Sequence, residues 1–319
     1  MLPLAGCGSA QNVLNPQSEP ERAIAKLFWI IMAGCWVGFV VIVGLLFLGW
    51  WRRNATNLPF GGSDWPGTGL VVGLGVIVPL LVLPLVFVYS DVFVMRTTAA
   101  PKVSSTAMTI EVIGHQWWWE VRYPGTKAVT ANEIHIPTRT RVNVVVGTAD
   151  VIHSFWVPQL NRKIDTIPGR DNRVLLEADN PGRYRGQCTE YCGLQHAHMA
   201  LAVVAQKPAD FRRWLAHMAE PAPEPATASA RRGRSVFLEN ACSGCHQIRG
   251  TDAQGTIGPD LTHLQDRETL AALTIPNRKG YLGGWVLDPQ HVKPGNKMPG
   301  LNLAGPDFRD LLDYLESLK

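Results

Sequence analysis

Two stretches of the chain carry no charge: residues 27–50, 24 positions long, and residues 69–90, 22 positions long. At about 1.5 Å of rise per residue, each as a helix exceeds the roughly 30 Å hydrocarbon core of a bilayer. The pattern therefore predicts two membrane-crossing helices joined by a short loop, over residues 27–95. Pro79 and Pro84 lie inside the second run, which predicts a kinked helix supported by a neighbouring helix or subunit. A pair of buried helices in a soluble protein is the other reading, and two adjacent runs of this length argue against it. Residues 95–106 read as a tether. From residue 107 the periodicity becomes strand-like, with β-branched segments at 108–112, 135–137 and 142–146 punctuated by Pro124 with Gly125, Pro168 with Gly169 and Pro181 with Gly182. Short strands at close spacing predict a sandwich or barrel. Residues 220–230, EPAPEPATASA, lack any periodicity and read as a semi-rigid linker to a second domain.

The 319 residues allow two domains with extra segments. A mean hydropathy of +0.02 hides the asymmetry between the apolar first hundred residues and the rest. Net charge is only +4, the basic residues are scattered, and no aromatic-interleaved basic stretch occurs, so a nucleic-acid partner is excluded. Arg52 and Arg53 place the loop between the two runs in the cytoplasm by the positive-inside rule, with both termini outside. Residues 1–26 read as a leader in which Leu4, Ala5, Gly6 and Cys7 resemble a lipobox. Only six residues precede Cys7, so either the true start lies upstream or the match is chance.

Six cysteines carry most of the chemical information. Residues 188–199 read CTEYCGLQHAHM: two thiols four apart, then His196 and Met199. Soft sulfur and imidazole donors packed this tightly suit copper, iron–sulfur or zinc. The thioether favours copper, and two thiolates in one loop allow two coppers to share both sulfurs. The plainer reading is a Cys188–Cys192 disulfide in an oxidising compartment. His153 opens HSFWVP after the strand-like run 142–146, where a strand end can offer an imidazole to the later loop. Beyond the linker, Cys242, Cys245 and His246 form the CxxCH attachment signature of a c-type haem, with a redox dithiol as the alternative. Met298 is the only methionine after that motif, and His263 and His291 compete with it for the sixth ligand position.

Three segments, GHQWWWEVRY from Gly114, HSFWVPQLNRKIDTIPGR from His153 and CTEYCGLQHAHM from Cys188, resemble the signature blocks of cytochrome c oxidase subunit II. The resemblance covers roughly residues 25–215. It implies a cupredoxin-like β-sandwich over residues 107–217 holding a mixed-valence dicopper centre. Cys188 and Cys192 would bridge both metals, His153 and Met199 would complete one copper, and His196 with the backbone carbonyl of Glu190 the other. His198 would not ligate. The resemblance further implies a magnesium ion near the Glu190 side chain at the boundary with subunit I, and electron entry through Trp117; a solvated carboxylate and ordinary packing are the plain alternatives for these two. Shared thiolates spread one electron's charge over two metals and limit rearrangement.

Residues 231–319, after a linker at 218–230, resemble a complete all-α class I cytochrome c: NKMPG around Met298 is similar to an axial methionine loop, and Gly258 with Pro259, Trp285 and a closing helix at residues 308–318 also match. Methionine–histidine ligation would raise the potential relative to two histidines. The fold class expected is thus membrane α + β: a two-helix transmembrane hairpin, the sandwich and the haem domain. Because bacterial haem attachment occurs outside the cytoplasmic membrane, both redox domains are expected on the periplasmic or outer side.

Neither apolar run contains histidine, so the chain itself holds no membrane haem and no oxygen-reducing copper. The resemblance to caa-type oxidases implies subunits I and III as partners and a cytochrome c or upstream cytochrome complex as donor. A glutamate common near the start of the family's second helix is missing here, and Asp64 is the nearest acid. A dicopper nitric oxide reductase subunit and a membrane-tethered carrier without a catalytic partner are the rival readings.

Overall fold

The computed structural model describes residues 10–53, 65–102, 105–303 and 305–319; Cys7, Asp64 and the rest of residues 1–9 and 54–64 lie outside the described residues. The chain divides into two units. One holds two long helices, α1 (Glu19–Arg52) and α2 (Gly67–Thr98). α1 opens on Glu19 and Glu21 and closes on Arg52, charges that complement the helix dipole at each end. Both helices are long and apolar enough to cross a membrane, and residues such as Trp36, Phe47, Leu80 and Phe87 point their rings and branches outward.

The irregularity expected in α2 takes the form of two π-helical turns, Gly73–Ile77 and Ser90–Met95. The first stands just before Pro79, whose ring removes one helical N–H donor. The helix runs on to Thr98, into the stretch read as a tether.

The second unit contains a sandwich of two five-stranded sheets. Its strands are β1 (Met108–His115), β2 (Trp118–Arg122), β3 (Val129–Ala131), β4 (Glu133–Pro137), β5 (Val142–Thr148), β6 (His153–Trp156), β7 (Ile164–Thr166), β8 (Asn172–Leu176), β9 (Gly182–Cys188) and β10 (Ala200–Gln206). The first sheet is ordered β3-β2-β1-β5-β8 and the second β4-β10-β9-β6-β7. Parallel pairs β1–β5 and β4–β10 sit among antiparallel ones. Alternate residues face inward: Ile110, Val112, Val144 and Val146 from one sheet meet Phe155, Leu201 and Val203 from the other, all essentially without exposure. Residues 10–18 run along this sandwich, held by Gln17 N–H to the Gln159 carbonyl (3.0 Å), Asp179 N–H to the Gln17 carbonyl (2.9 Å) and Ser18 Oγ to the Leu160 carbonyl (2.5 Å).

Helix α3 (Pro208–Met218) closes the sandwich, stacking Trp214 on His135 with ring centroids 3.9 Å apart. The haem-type domain is helical. It starts at α4 (Ala228–Glu239), earlier than the linker reading placed it, because Thr227 Oγ1 caps the Ala230 N–H at 3.1 Å. A short helix at Cys242–Cys245 follows, and the chain ends with α5 (Gly305–Glu316), which packs on α4 through an edge-on Phe237–Tyr314 pair.

Candidate metal and haem sites

The register of the second sheet brings the sulfur loop to His153. β9 ends at Cys188 and β10 begins at Ala200, and the loop between them is closed by the Cys188 N–H bond to the Met199 carbonyl at 2.9 Å. β6 lies against β9 with Phe155 opposite Cys188, so His153 at the head of β6 reaches the same spot. Cys188 Sγ stands 3.9 Å from Cys192 Sγ, 4.0 Å from His153 Nδ1 and 3.2 Å from the Glu190 carbonyl oxygen. Cys192 Sγ stands 3.6 Å from His196 Nδ1 and 3.8 Å from Met199 Sδ. Cys188, Cys192, His153 and Met199 are all buried, and no disulfide joins the two thiols. The His198 ring instead engages Gln195 Oε1 at 2.8 Å, and the Glu190 carboxylate is exposed.

The surroundings prepare these atoms for a cation. His153 donates Nε2–H to Asp150 Oδ1 at 2.9 Å, which leaves the Nδ1 lone pair facing the thiols, the arrangement metal-ligating histidines favour. Asp150 is itself held by the Gln116 N–H at 2.7 Å. Burial opposes its ionisation, but hydrogen bonds from His153, Gln116 and Val151 outweigh burial and hold its pKa below the usual carboxylate value. The contact with Cys192, together with His153 and nearby backbone donors, pulls Cys188 far down towards thiolate; that same thiol and burial push Cys192 up. Gly114 is demanded by this packing, since a Cβ there would lie 2.7 Å from His153 Cδ2.

The three tryptophans have separate jobs. Trp119 is a core residue with no exposure, Trp118 stacks on His115 at 4.3 Å, and Trp117 donates Nε1–H to the Cys192 carbonyl at 3.0 Å. Gln116 Nε2 donates to that same carbonyl at 2.8 Å.

In the helical domain, Cys242, Cys245, His246 and Met298 line one cavity whose walls are apolar side chains including Phe237, Leu282, Trp285 and Leu311. His246 donates Nδ1–H to the Pro259 carbonyl at 2.8 Å, leaving Nε2 as its free lone pair. Burial holds its pKa down, so the ring is neutral and able to ligate. A Cβ on Gly258 would lie 2.5 Å from His246 Cε1, so the glycine makes room for the imidazole. Of the three residues read as rivals for the sixth position, Met298 alone lines the cavity; the His263 Nε2–H goes to the Glu220 carbonyl and His291 is exposed.

Both donor sets fit the groups the sequence suggests. Two thiols, two imidazole nitrogens, a thioether and a carbonyl oxygen around one point are the soft donors copper prefers. An apolar cavity with two thiols and a neutral imidazole suits a covalently tethered porphyrin. Arg267 adds a further point: it is 7% exposed, lines that cavity, and its Nε has no hydrogen-bond partner among the described residues. Its Nη2 donates to the Asp260 carbonyl, and the remaining unpaired N–H on the guanidinium fits a carboxylate carried by the group that fills the cavity.

Residues 293–297, just before Met298, rest on the sulfur loop. Lys293, 3% exposed, donates from Nζ to the carbonyls of Trp117 (2.7 Å), His198 (2.9 Å) and Ala271 (3.4 Å). Burial pulls its pKa down to about 7, opposed by the nearby Cys192 sulfur. Gln195 Nε2 donates to the Pro294 carbonyl at 2.7 Å, and Lys297 Nζ lies 3.8 Å from Asp150 Oδ2. Gln116 and Trp117 form part of the haem cavity wall as well. The sequence reading missed Lys293, Gln116, Asp150 and Arg267; only the nearness of Lys293 to NKMPG hinted at any of them.

A sandwich with a two-cysteine donor loop, joined to a helical domain with a CxxCH-lined cavity and preceded by two apolar helices, defines a membrane-anchored protein of copper-site and c-type cytochrome build. The comparisons agree. Residues 127–206 match the family model for the periplasmic domain of cytochrome c oxidase subunit II, and residues 230–319 match that for cytochrome c. Cytochrome c oxidase subunit 2 of Alkalihalophilus pseudofirmus is 39% identical over 220 residues, covering 69% of this chain and 64% of that protein. The probable subunit 2 of Rickettsia bellii is 30% identical over 196 residues, covering 55% of this chain and 71% of that protein. The periplasmic domain of cytochrome oxidase subunit II from Bradyrhizobium japonicum aligns with 32% identity and a TM-score of 0.35, over 37% of this chain and 96% of that one. The chain spans just under two thirds of the length of the Alkalihalophilus protein and of similar Bacillus relatives. It belongs to the cytochrome c oxidase subunit 2 family and carries a cytochrome c domain behind the subunit 2 domain.

Proposed function

We propose that this chain is subunit II of a proton-pumping, caa-type haem-copper oxidase, working with subunits I and III in the bacterial cytoplasmic membrane. A cytochrome c or upstream cytochrome complex serves as the donor. Bound haem c and a dinuclear copper centre supply one-electron carriers between that donor and the haem of subunit I, where oxygen is reduced to water. On the family resemblance, which the clustering of these donors supports, Cys188 and Cys192 would hold both coppers, His153 with Met199 one of them and His196 with the Glu190 carbonyl the other; Cys242 and Cys245 would anchor the haem, and His246 with Met298 would bind its iron. The exposed Glu190 carboxylate is free to meet magnesium at the subunit I boundary.

The chain's own residues do the positioning. Asp150 and the Pro259 carbonyl fix the tautomers of His153 and His246. Gln116 and Trp117 hold the Cys192 carbonyl, and through it the loop. Lys293 holds the Met298 loop against Trp117, which makes Trp117 the natural entry point for electrons. Tethering the donor replaces a diffusive encounter by a high local concentration.

Topology follows from connectivity. Residues 10–18 lie on the sandwich and lead into α1, and the sandwich follows α2; a chain that leaves one side and returns to it crosses an even number of times. By the positive-inside rule for Arg52 and Arg53, we infer that this shared side is the outer one, so that both termini and both redox domains lie there.

The observation that carries this reading is the shared wall at Gln116 and Trp117, which line the haem cavity and bind the Cys192 carbonyl. Purification of the complex with haem typing and oxygen uptake tests it. A large partner containing haem a, with uptake, is expected; a partner with haem b and non-haem iron, or a solitary chain, would overturn it.

A further inference from the structure

Away from both redox sites, two histidines and an aspartate converge between α3 and the haem domain. His217 lies in the last turn of α3, His263 precedes the short 3-10 turn Leu264–Asp266, and Asp266 ends that turn. His217 Nε2 stands 2.8 Å from Asp266 Oδ2, and His263 Nδ1 stands 3.7 Å from that same oxygen. The two imidazole centroids are 4.6 Å apart, and one ligand atom from each of the three residues falls within 4.8 Å of the others.

The state of His263 suits a cation ligand. The residue is 1% exposed, and its Nε2–H donates to the Glu220 carbonyl at 3.0 Å. That bond fixes the tautomer and leaves a lone pair on Nδ1. Nδ1 is buried without a hydrogen-bond partner among the described residues, on the side facing Asp266. An unpaired buried polar atom is destabilising, and a bound cation would remove that cost. Burial holds the His263 pKa below its ordinary value, opposed chiefly by the Glu220 carbonyl, so the ring is in the neutral form a metal requires. A histidine donating its second ring nitrogen to a backbone carbonyl is the usual support of a metal-bound imidazole. The two partners leave a way in: the side chains of His217 and Asp266 are 43% and 30% exposed.

We propose that His217, His263 and Asp266 bind one divalent transition-metal ion of the zinc type, with the fourth position open to water. Nitrogen and oxygen ligands at about 2.0–2.2 Å around a tetrahedral ion lie roughly 3.3–3.6 Å from one another; two separations here are 2.8 and 3.7 Å and all three atoms lie within 4.8 Å of one another, so binding draws them together by side-chain rotation. The site shares no residue with the sulfur loop or the haem cavity. It ties α3 of the sandwich to the haem domain beside residues 219–227, so the bound ion clamps the connection between the two. The clamp is independent of the oxidase reading, since it requires neither oxygen chemistry nor a partner subunit.

The test is equilibrium dialysis of radioactive zinc against the full-length, copper- and haem-loaded chain in detergent. One saturable zinc per chain is expected, weakened about tenfold or more in His217→Ala and in Asp266→Asn, since each removes one ligand, and unchanged in His291→Ala. Zinc should also slow proteolysis within residues 219–227 in the wild type and not in His217→Ala. Each variant is first checked for an intact haem spectrum and copper resonance signal; if His217→Ala fails that check, Asp266→Asn decides the matter. No saturable zinc in the wild type, or equal binding by the wild type and the intact variants, would overturn the site.

Discussion

The Lys293 ammonium donates a hydrogen bond of 2.7 Å to the backbone carbonyl of Trp117, across 176 residues of sequence. Through it the loop that presents Met298 to the haem cavity is fastened to the tryptophan that holds the Cys192 carbonyl. Lys293→Met keeps the length of the side chain and removes the charge. Losing a charge-assisted hydrogen bond costs about 1.5–3 kcal/mol, so the docking equilibrium constant should fall roughly 10- to 150-fold. Flash-initiated kinetics of electron transfer from haem c should slow accordingly with both metal contents unchanged; an unaltered rate would show that the contact does not hold the loop.

Two glycines make opposite predictions. Gly114→Ala places a methyl group against His153, and Gly258→Ala places one against His246. Overpacking of this kind costs about 1–3 kcal/mol. The first change should weaken the copper resonance signal and spare the haem absorption spectrum, and the second should do the reverse. A variant that disturbed both sites alike would mean general misfolding, not local displacement of an imidazole.

Met298→Ala should leave haem attached through Cys242 and Cys245 but change its sixth ligand. The expected result is an altered optical spectrum with a lowered reduction potential. An unchanged spectrum would return the role to another residue.

Glu133 connects the two redox domains and makes their association pH-dependent. Its Oε1 accepts from Arg183 at 2.8 Å and from the Glu268 N–H of the haem domain at 3.2 Å. Burial opposes its ionisation, but His135 and Arg183 outweigh burial and hold its pKa below the ordinary 4.5. A lowered folded-state pKa stabilises the protein fully above the unfolded value, and that stability drains away as pH falls below about 4.5. Glu133→Gln should therefore lower thermal stability near neutral pH by about 1.5–3 kcal/mol. It should also flatten the loss of stability on acidification, followed by circular dichroism; parallel pH curves for variant and wild type would contradict the assignment.

The fold class was readable because its determinants are local. Uncharged runs announce α1 and α2, and β-branched segments announce β1, β4 and β5. The π-helical turns of α2 were not readable, since nothing in residues 73–77 or 90–95 distinguishes them from ordinary helix. Strands β6, β7 and β9 were missed because they contain His153, Asp165 and Arg185 among their short runs, and pairing rather than composition makes them strands. In the sulfur loop, four donors fall within twelve residues, so their grouping was visible. Asp150, Gln116, Arg267 and Lys293 act through contacts that are distant in sequence or depend on burial, and a lone polar residue in a turn carries no such signal. The trio of His217, His263 and Asp266 was hidden for the same reason: it exists only once α3 and the haem domain meet.

The central claim is a thiolate-bridged copper pair beside a covalently held haem. Metal analysis of the freshly isolated full-length chain, read with its paramagnetic resonance spectrum, tests it most directly. The account predicts two coppers for each iron and a hyperfine pattern from one unpaired electron shared equally by two copper nuclei. Iron without copper, or copper giving the four-line pattern of a single nucleus, would contradict it.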